Sequence, residues 1–175
     1  MSAPLLVLVG PPASGKTTVG GAVAAALGTG FRDTDADVEA TAGSTVADLF
    51  VDRGEEHFRE LEEQAVARAL TAHDGVLALG GGAVLSATTR ELLTGYGRDG
   101  GVVVHLDVDV HDAAKRVGLS RDRPLLAVNP RAMLRTMLEQ RAPLYAEVAT
   151  ATVPTAGRTP EDVVADVLAL LEVRR

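Results

Sequence analysis

The residues best equipped for chemistry come first in the chain. Gly10-Pro11-Pro12-Ala13-Ser14-Gly15-Lys16-Thr17 satisfies G-x-x-x-x-G-K-[ST] at every position. The segment follows an apolar, strand-like run, Leu5–Val9, and opens an Ala/Val-rich stretch with helical periodicity. A chain of backbone N–H groups leading into a helix N-terminus cradles anionic oxygen. Gly15 lets the backbone approach a phosphate, the Lys16 ammonium reaches the β- and γ-phosphates, and the Thr17 hydroxyl can ligate Mg²⁺.

A second pattern lies at the expected carboxyl end of the next strand, Asp33-Thr34-Asp35. If that segment stays extended, the side-chain period of two points both carboxylates to one side. In an open α/β sheet this is the edge at which ligands bind. One carboxylate can hold the hydration shell of Mg²⁺, and the other can accept a proton or hydrogen bond from an attacking hydroxyl. A third pattern, Gly80-Gly81-Gly82, follows the buried-type run Val76–Leu79 and reads as a tight turn that brings backbone close to a ligand.

Short apolar runs alternate with longer helical segments. Strands are expected at Leu5–Val9, Phe31–Asp35, Val76–Leu79, Val102–Leu106 and Ala151–Val153. Helices are expected over Thr17–Leu27, Thr45–Arg53, Glu55–Ala72, Asp109–Val117 and Arg131–Tyr145. A further helix opens at the capping-box pattern Thr88-Thr89-Arg90-Glu91 and runs to about Tyr96. The last opens at Thr159-Pro160-Glu161-Asp162, with an N-cap, a proline at N1 and acids in the first turn. Gly118–Asn129 has no periodicity and reads as a mobile loop. This alternation implies a three-layer α/β/α fold with a central five-stranded parallel sheet.

The 175 residues make one ordinary domain, with 46% apolar and 23% charged residues. The formal net charge of −7 argues against a general nucleic-acid binder. No cysteine is present, which excludes disulfides, thiolate zinc sites and thiol nucleophiles. His57, His73, His105 and His111 lack a metal-binding spacing. Neither a signal h-region nor an apolar stretch of spanning length is found, so a cytoplasmic protein with no membrane partner is expected, and a monomer by default.

Taken in order, the phosphate loop, Asp33-Thr34-Asp35, the run Gly54–Glu62, Leu79–Ala83, Arg123-Pro124-Leu125-Leu126 and Arg141-Ala142-Pro143-Leu144-Tyr145 resemble shikimate kinase over nearly the whole chain. That resemblance implies a P-loop kinase fold with a mobile lid and transfer of the ATP γ-phosphoryl group to the 3-hydroxyl of shikimate, in the route to chorismate and the aromatic amino acids. It also implies site residues. Asp35 meets the shikimate hydroxyls, Arg59 and Arg141 bind the carboxylate, and Gly80, Gly81 and Gly82 lend backbone contact. Lys16 and the lid residue Arg123 act on the transferring phosphate, while Thr17 and Asp33 form the magnesium side. Ala13, Ser14, Gly15, Thr18, Arg116 and Arg158 complete the ATP side, with the two arginines flanking adenine. Glu62, three residues after Arg59 on one helical face, orients its guanidinium, and Phe58 lines the acceptor pocket. The whole chain, 1–175, is then one domain, with the lid within about 117–129 and the acceptor-binding segment at about 36–62.

The chemistry of the acceptor agrees with these assignments. A carboxylate calls for a guanidinium fork, and hydroxyls call for an acceptor such as Asp35. Three alternatives are a gluconate kinase-like enzyme, a nucleoside monophosphate kinase and a nucleotide-binding partner without catalysis. Asp33-Thr34-Asp35 together with Gly80–Gly82 and Arg141 favours shikimate over gluconate. No segment offers a pocket for an acceptor base. Lys16, Asp33, Asp35 and Arg123 together argue for catalysis.

Overall fold

The computed structural model describes residues 2–118 and 130–173. Five strands form one parallel sheet: β1 (Leu6–Val9), β2 (Phe31–Asp33), β3 (Val76–Ala78), β4 (Val103–Asp107) and β5 (Ala151–Pro154), in the order β2-β3-β1-β4-β5. The helices are α1 (Lys16–Leu27), α2 (Thr34–Ala42), α3 (Val46–Ala72), α4 (Ala87–Arg98), α5 (Val110–Gly118), α6 (Pro130–Val148) and α7 (Pro160–Glu172). A 3₁₀ turn occupies Ala83–Leu85. No helix among the described residues is long and apolar enough to cross a membrane.

The central strand shows why the layers form. Every residue of β1 is buried, because a parallel strand in mid-sheet is covered on both faces. Alternation then divides its side chains between two cores. Leu6 and Leu8 pack with Val19 and Val23 of α1 and Val163 and Val167 of α7. Val7 and Val9 pack with Val66 and Ala69 of α3, Leu93 of α4 and Tyr145 and Val148 of α6. Burying each such side chain contributes about 1.5–3 kcal/mol. A smaller third core, Val38, Leu49, Phe58 and Ala65, joins α2 to α3.

Two expected elements differ from those observed. Phe31–Asp35 is not extended throughout: the strand ends at Asp33, which caps α2 by accepting a hydrogen bond from the Asp35 N–H at 2.9 Å. Asp35 therefore stands in the first turn of a helix, and the period-two argument for a shared side does not apply. The reason is local, because an Asp at N-cap satisfies an orphan helix N–H better than one more extended residue would. The cap of α4 is Ser86, which accepts from the Thr89 N–H at 3.1 Å, two residues ahead of the expected Thr88. The two helices expected on either side of Gly54 are present as the two halves of α3, which meet at a non-helical Gly54 (φ 81°, ψ 166°). Thr159 is the expected N-cap of α7 and is joined by Asp162 in a capping box, and Asp109 accepts from the Asp112 N–H at 2.7 Å.

Candidate active site

The phosphate loop joins β1 to α1, so the buried strand holds one end and the helix N-terminus the other. Lys16 Nζ donates to the carbonyls of Gly10 at 2.8 Å and Pro11 at 2.9 Å, which pins the ammonium across the loop. Ala13 sits in the left-handed region at φ 66°. Arg116 of α5 braces it, donating from Nη1 to the Ala13 carbonyl at 3.0 Å and from Nη2 to the Thr155 carbonyl at 3.1 Å. Beside the loop lies a cleft of about 450 Å³ lined by Ala13, Ser14, Gly15, Thr18, Arg116 and Arg158. Pro160 and Val163 add apolar surface to it. Sequence-distant Arg116 and Arg158 thus meet the loop in a cleft of ligand-binding size. Arg158 itself is tied to Asp166 at 2.7 Å.

Thr17 Oγ1 donates to Asp33 Oδ2 at 3.1 Å. Two hard oxygen donors therefore stand together at the start of α1. Mg²⁺ takes one or two protein oxygens and keeps waters and phosphate oxygens for the rest, and this pair fits that demand.

Asp35, Glu62 and Arg59 converge on the glycine turn after β3. A Cβ added at Gly80 would stand 2.5 Å from Asp35 Oδ1 and 2.6 Å from Glu62 Oε1, and one added at Gly82 would run into the Arg59 guanidinium. The turn is glycine-rich because three charged side chains press against it. The Gly80 N–H donates to Thr34 Oγ1 at 3.1 Å, so the middle residue of Asp33-Thr34-Asp35 ties the acidic segment to the turn.

The electrostatics of this group are unusual for a surface. Burial raises the Asp35 carboxyl above its ordinary value, and the Asp33 carboxylate adds to the rise, while Lys16 and Arg59 oppose it. A carboxylate so placed is a stronger base than a solvated one. Burial likewise raises Glu62, against the opposing charges of Arg59 and Arg141. Glu62, which is only 3% exposed, holds Arg59 Nη1 at 2.6 Å. Glu55 reaches Nη2 at 3.4 Å. The guanidinium carbon stands 5.1 Å from the Phe58 ring centre and 5.8 Å from that of Phe50, within cation–π range. Arg59 Nε is buried and has no hydrogen-bond partner among the described residues. A buried guanidinium N–H in want of an acceptor suits a carboxylate ligand.

Arg141 of α6 adjoins this site, since its charge acts on Glu62 and its side chain acts on the Tyr145 phenol by charge and hydrogen bonding. Phe58 is buried beneath Arg59 in the α2–α3 core, as a floor more than a wall. Arg123 lies outside the described residues, as does most of the expected lid.

Sequence reasoning passed over four participants. Phe50 shares the Arg59 guanidinium with Phe58. Thr34 ties Asp33-Thr34-Asp35 to the glycine turn. Pro12 packs on Gly81, where an added Cβ would lie 2.7 Å from its Cδ. Tyr145 donates its phenol hydrogen to the Gly81 carbonyl at 2.6 Å. Its signal in the sequence is its place in the Arg141-Ala142-Pro143-Leu144-Tyr145 pattern, a helical turn after Arg141.

Comparison with known proteins agrees with this geometry. The family model described as shikimate kinase matches residues 12–172. The shikimate kinase of Salinispora arenicola is 60% identical over 169 residues, covering 97% of this chain and 98% of its own. That of Streptomyces coelicolor is 55% identical over 174 residues, covering 99% of each. The solved shikimate kinase from Acinetobacter baumannii, in complex with shikimate, superposes with a TM-score of 0.90 at 36% identity, covering 100% of this chain and 96% of its own. A phosphate loop, a paired oxygen site and a half-buried guanidinium facing a glycine turn thus occur on the fold and sequence of one family, and the chain belongs to the shikimate kinases.

Proposed function

We propose that the chain is an ATP-dependent kinase that phosphorylates the 3-hydroxyl of shikimate, giving 3-phosphoshikimate and ADP, in the route to chorismate and the aromatic amino acids. The observation that carries the substrate is the Arg59 group. Its guanidinium is held by Glu62, backed by two aromatic rings and left with an unpartnered buried N–H, beside Asp35 and the Gly80–Gly82 turn. A small ring acid with hydroxyls opposite its carboxylate matches that pairing of cation and acceptor.

In the reaction, the acceptor oxygen forms a bond to the γ-phosphorus as the bond from that phosphorus to the β–γ bridging oxygen breaks. The hydroxyl proton passes to Asp35. Lys16 exchanges its loop carbonyls for phosphate oxygens and balances charge on the transferring group. Arg59 and Arg141 fix the carboxylate, and the glycine turn sets how close the ring can come. Thr17 and Asp33 would hold Mg²⁺, which supplies further charge neutralisation at the phosphates when bound. Arg116 and Arg158 border the adenine side, and Arg123 takes the lid role that the family assigns to it. The reading treats 1–175 as one domain, acting as a cytoplasmic monomer, with the lid within about 117–129 and the acceptor-binding segment at about 36–62.

The test is ADP release with ATP and Mg²⁺ in the presence of shikimate, gluconate, AMP or no acceptor, for the wild type and Asp35→Asn. The expected result is shikimate-dependent turnover that falls about 10²–10⁴-fold in the variant, the range for loss of a general base. Turnover confined to another acceptor would overturn the substrate, and turnover with none would overturn the kinase.

A further inference from the structure

The acceptor reading leaves one buried group unused. Tyr145 is 2% exposed and closes the core between α6 and the sheet. A phenylalanine would fill that core equally well, so the hydroxyl has a separate task. It donates to the Gly81 carbonyl at 2.6 Å, across 64 residues of sequence. The direction is fixed, since a carbonyl can only accept. Burial pushes the phenol up to about 12, so it remains a donor at every working pH.

We propose that Tyr145 is a positioning residue for the acceptor, its phenol clamping the Gly81 carbonyl and thereby setting the plane of the Gly80–Gly82 turn against which the acceptor lies. The inference rests on the acceptor site described above.

Three further observations give the clamp its stiffness. The Tyr145 ring stacks on His105 at 4.9 Å between centres and 23° between planes. His105 is 7% exposed on β4, in register with Val9, the residue immediately before the phosphate loop. The phenol is therefore braced against the strand pair that carries the loop. On its other side Gly81 meets Pro12 of that same loop. Finally, Arg141 lies one helical turn before Tyr145, so α6 presents the carboxylate-binding guanidinium and the clamp on one face. A single rigid element thus sets both ends of the acceptor: the cation for its carboxylate and the backbone plane beside its ring.

The experiment is Tyr145→Phe, which keeps the ring, its stacking on His105 and the core volume. Steady-state KM is measured separately for shikimate and for ATP, alongside the thermal shift produced by ATP alone. The clamp predicts a shikimate KM raised about tenfold, equivalent to about 1.4 kcal/mol. It predicts an ATP KM within about twofold of wild type and an unchanged ATP thermal shift, because the nucleotide cleft is untouched. A shikimate KM within about twofold of wild type would overturn the clamp. So would a parallel rise of both KM values with loss of the ATP shift, which is the mark of general loosening. Absence of shikimate turnover in the wild type would overturn the acceptor reading itself, an outcome distinct from an active wild type with an indifferent variant.

Discussion

Adding one methyl group at Gly80 is the smallest change that should separate acceptor chemistry from nucleotide binding. The Cβ of Gly80→Ala would stand 2.5 Å from Asp35 Oδ1 and 2.6 Å from Glu62 Oε1, where ordinary contact begins at 3.4 Å. Each oxygen must therefore retreat by about 0.8–0.9 Å, because overlap on the repulsive wall cannot be sustained. Glu62 has little freedom to do so, being 3% exposed and held to Arg59 at 2.6 Å. Most of the movement falls on Asp35. A misplacement of about 1 Å costs on the order of 100-fold in rate. Overpacking of this kind costs about 1–3 kcal/mol of stability. At about 2–4 °C per kcal/mol for a domain of this size, the melting temperature should drop by about 2–12 °C. The assay is shikimate-dependent ADP release, with the ATP-induced thermal shift measured in parallel. The expected outcome is kcat/KM for shikimate down about 100-fold with the ATP shift intact. Gly95→Ala is the control, since a Cβ there meets nothing within 4 Å. Its activity should equal that of wild type. A Gly80→Ala enzyme within about threefold of wild type in kcat/KM would refute the close approach of Asp35 and Glu62 to the turn.

Asp35→Asn should trade activity for stability in a pH-dependent way. Burial, and then Asp33, raises the native carboxyl above its ordinary 3.8. Between the ordinary and the raised value the native state holds more proton than the unfolded chain, so stability falls as pH rises through that window. Melting curves should show the variant gaining on wild type from pH 3 to pH 7 and level with it at pH 3; a constant difference across that range would remove the argument. Ala13→Gly should relieve the left-handed strain at φ 66°. A non-glycine residue there costs about 1–2 kcal/mol, while glycine loses about 0.4–1 kcal/mol through unfolded-state entropy. A melting temperature equal to or a few degrees above wild type, with ATP KM unchanged, is expected; a clear fall would show that the Ala13 methyl is needed.

Much of the site could be read from the chain because the relevant physics is local. A phosphate loop is a run of consecutive N–H groups, so its eight residues carry the geometry themselves. The break at Gly54 and the caps at Asp109 and Thr159 depend on neighbours within a few positions. Arg59 and Glu62 meet because they are three residues apart on one helix. Alternation of apolar runs with amphipathic helices decides the layer order for similar reasons, since buried strands need cover on both faces. Asp35 marks the boundary of that reasoning. Its type and place were legible, but the Asp33 cap that starts α2 changed its setting from strand to helix.

Sequence alone therefore determined the nucleotide loop, the strand and helix alternation and the inventory of charged groups on the acceptor side. Tertiary structure decided which distant groups complete each half. Arg116 reaches the Ala13 carbonyl across 103 residues and Tyr145 reaches Gly81 across 64. Whether Glu62 would be solvated or buried depended on how α3 lies against the glycine turn, and the turn's need for glycine followed from that same approach. Such contacts depend on the docking of whole elements, where the burial of Val7, Val66, Leu93 and Val148 places the backbone. No local pattern in the residues that make the contacts contains that information.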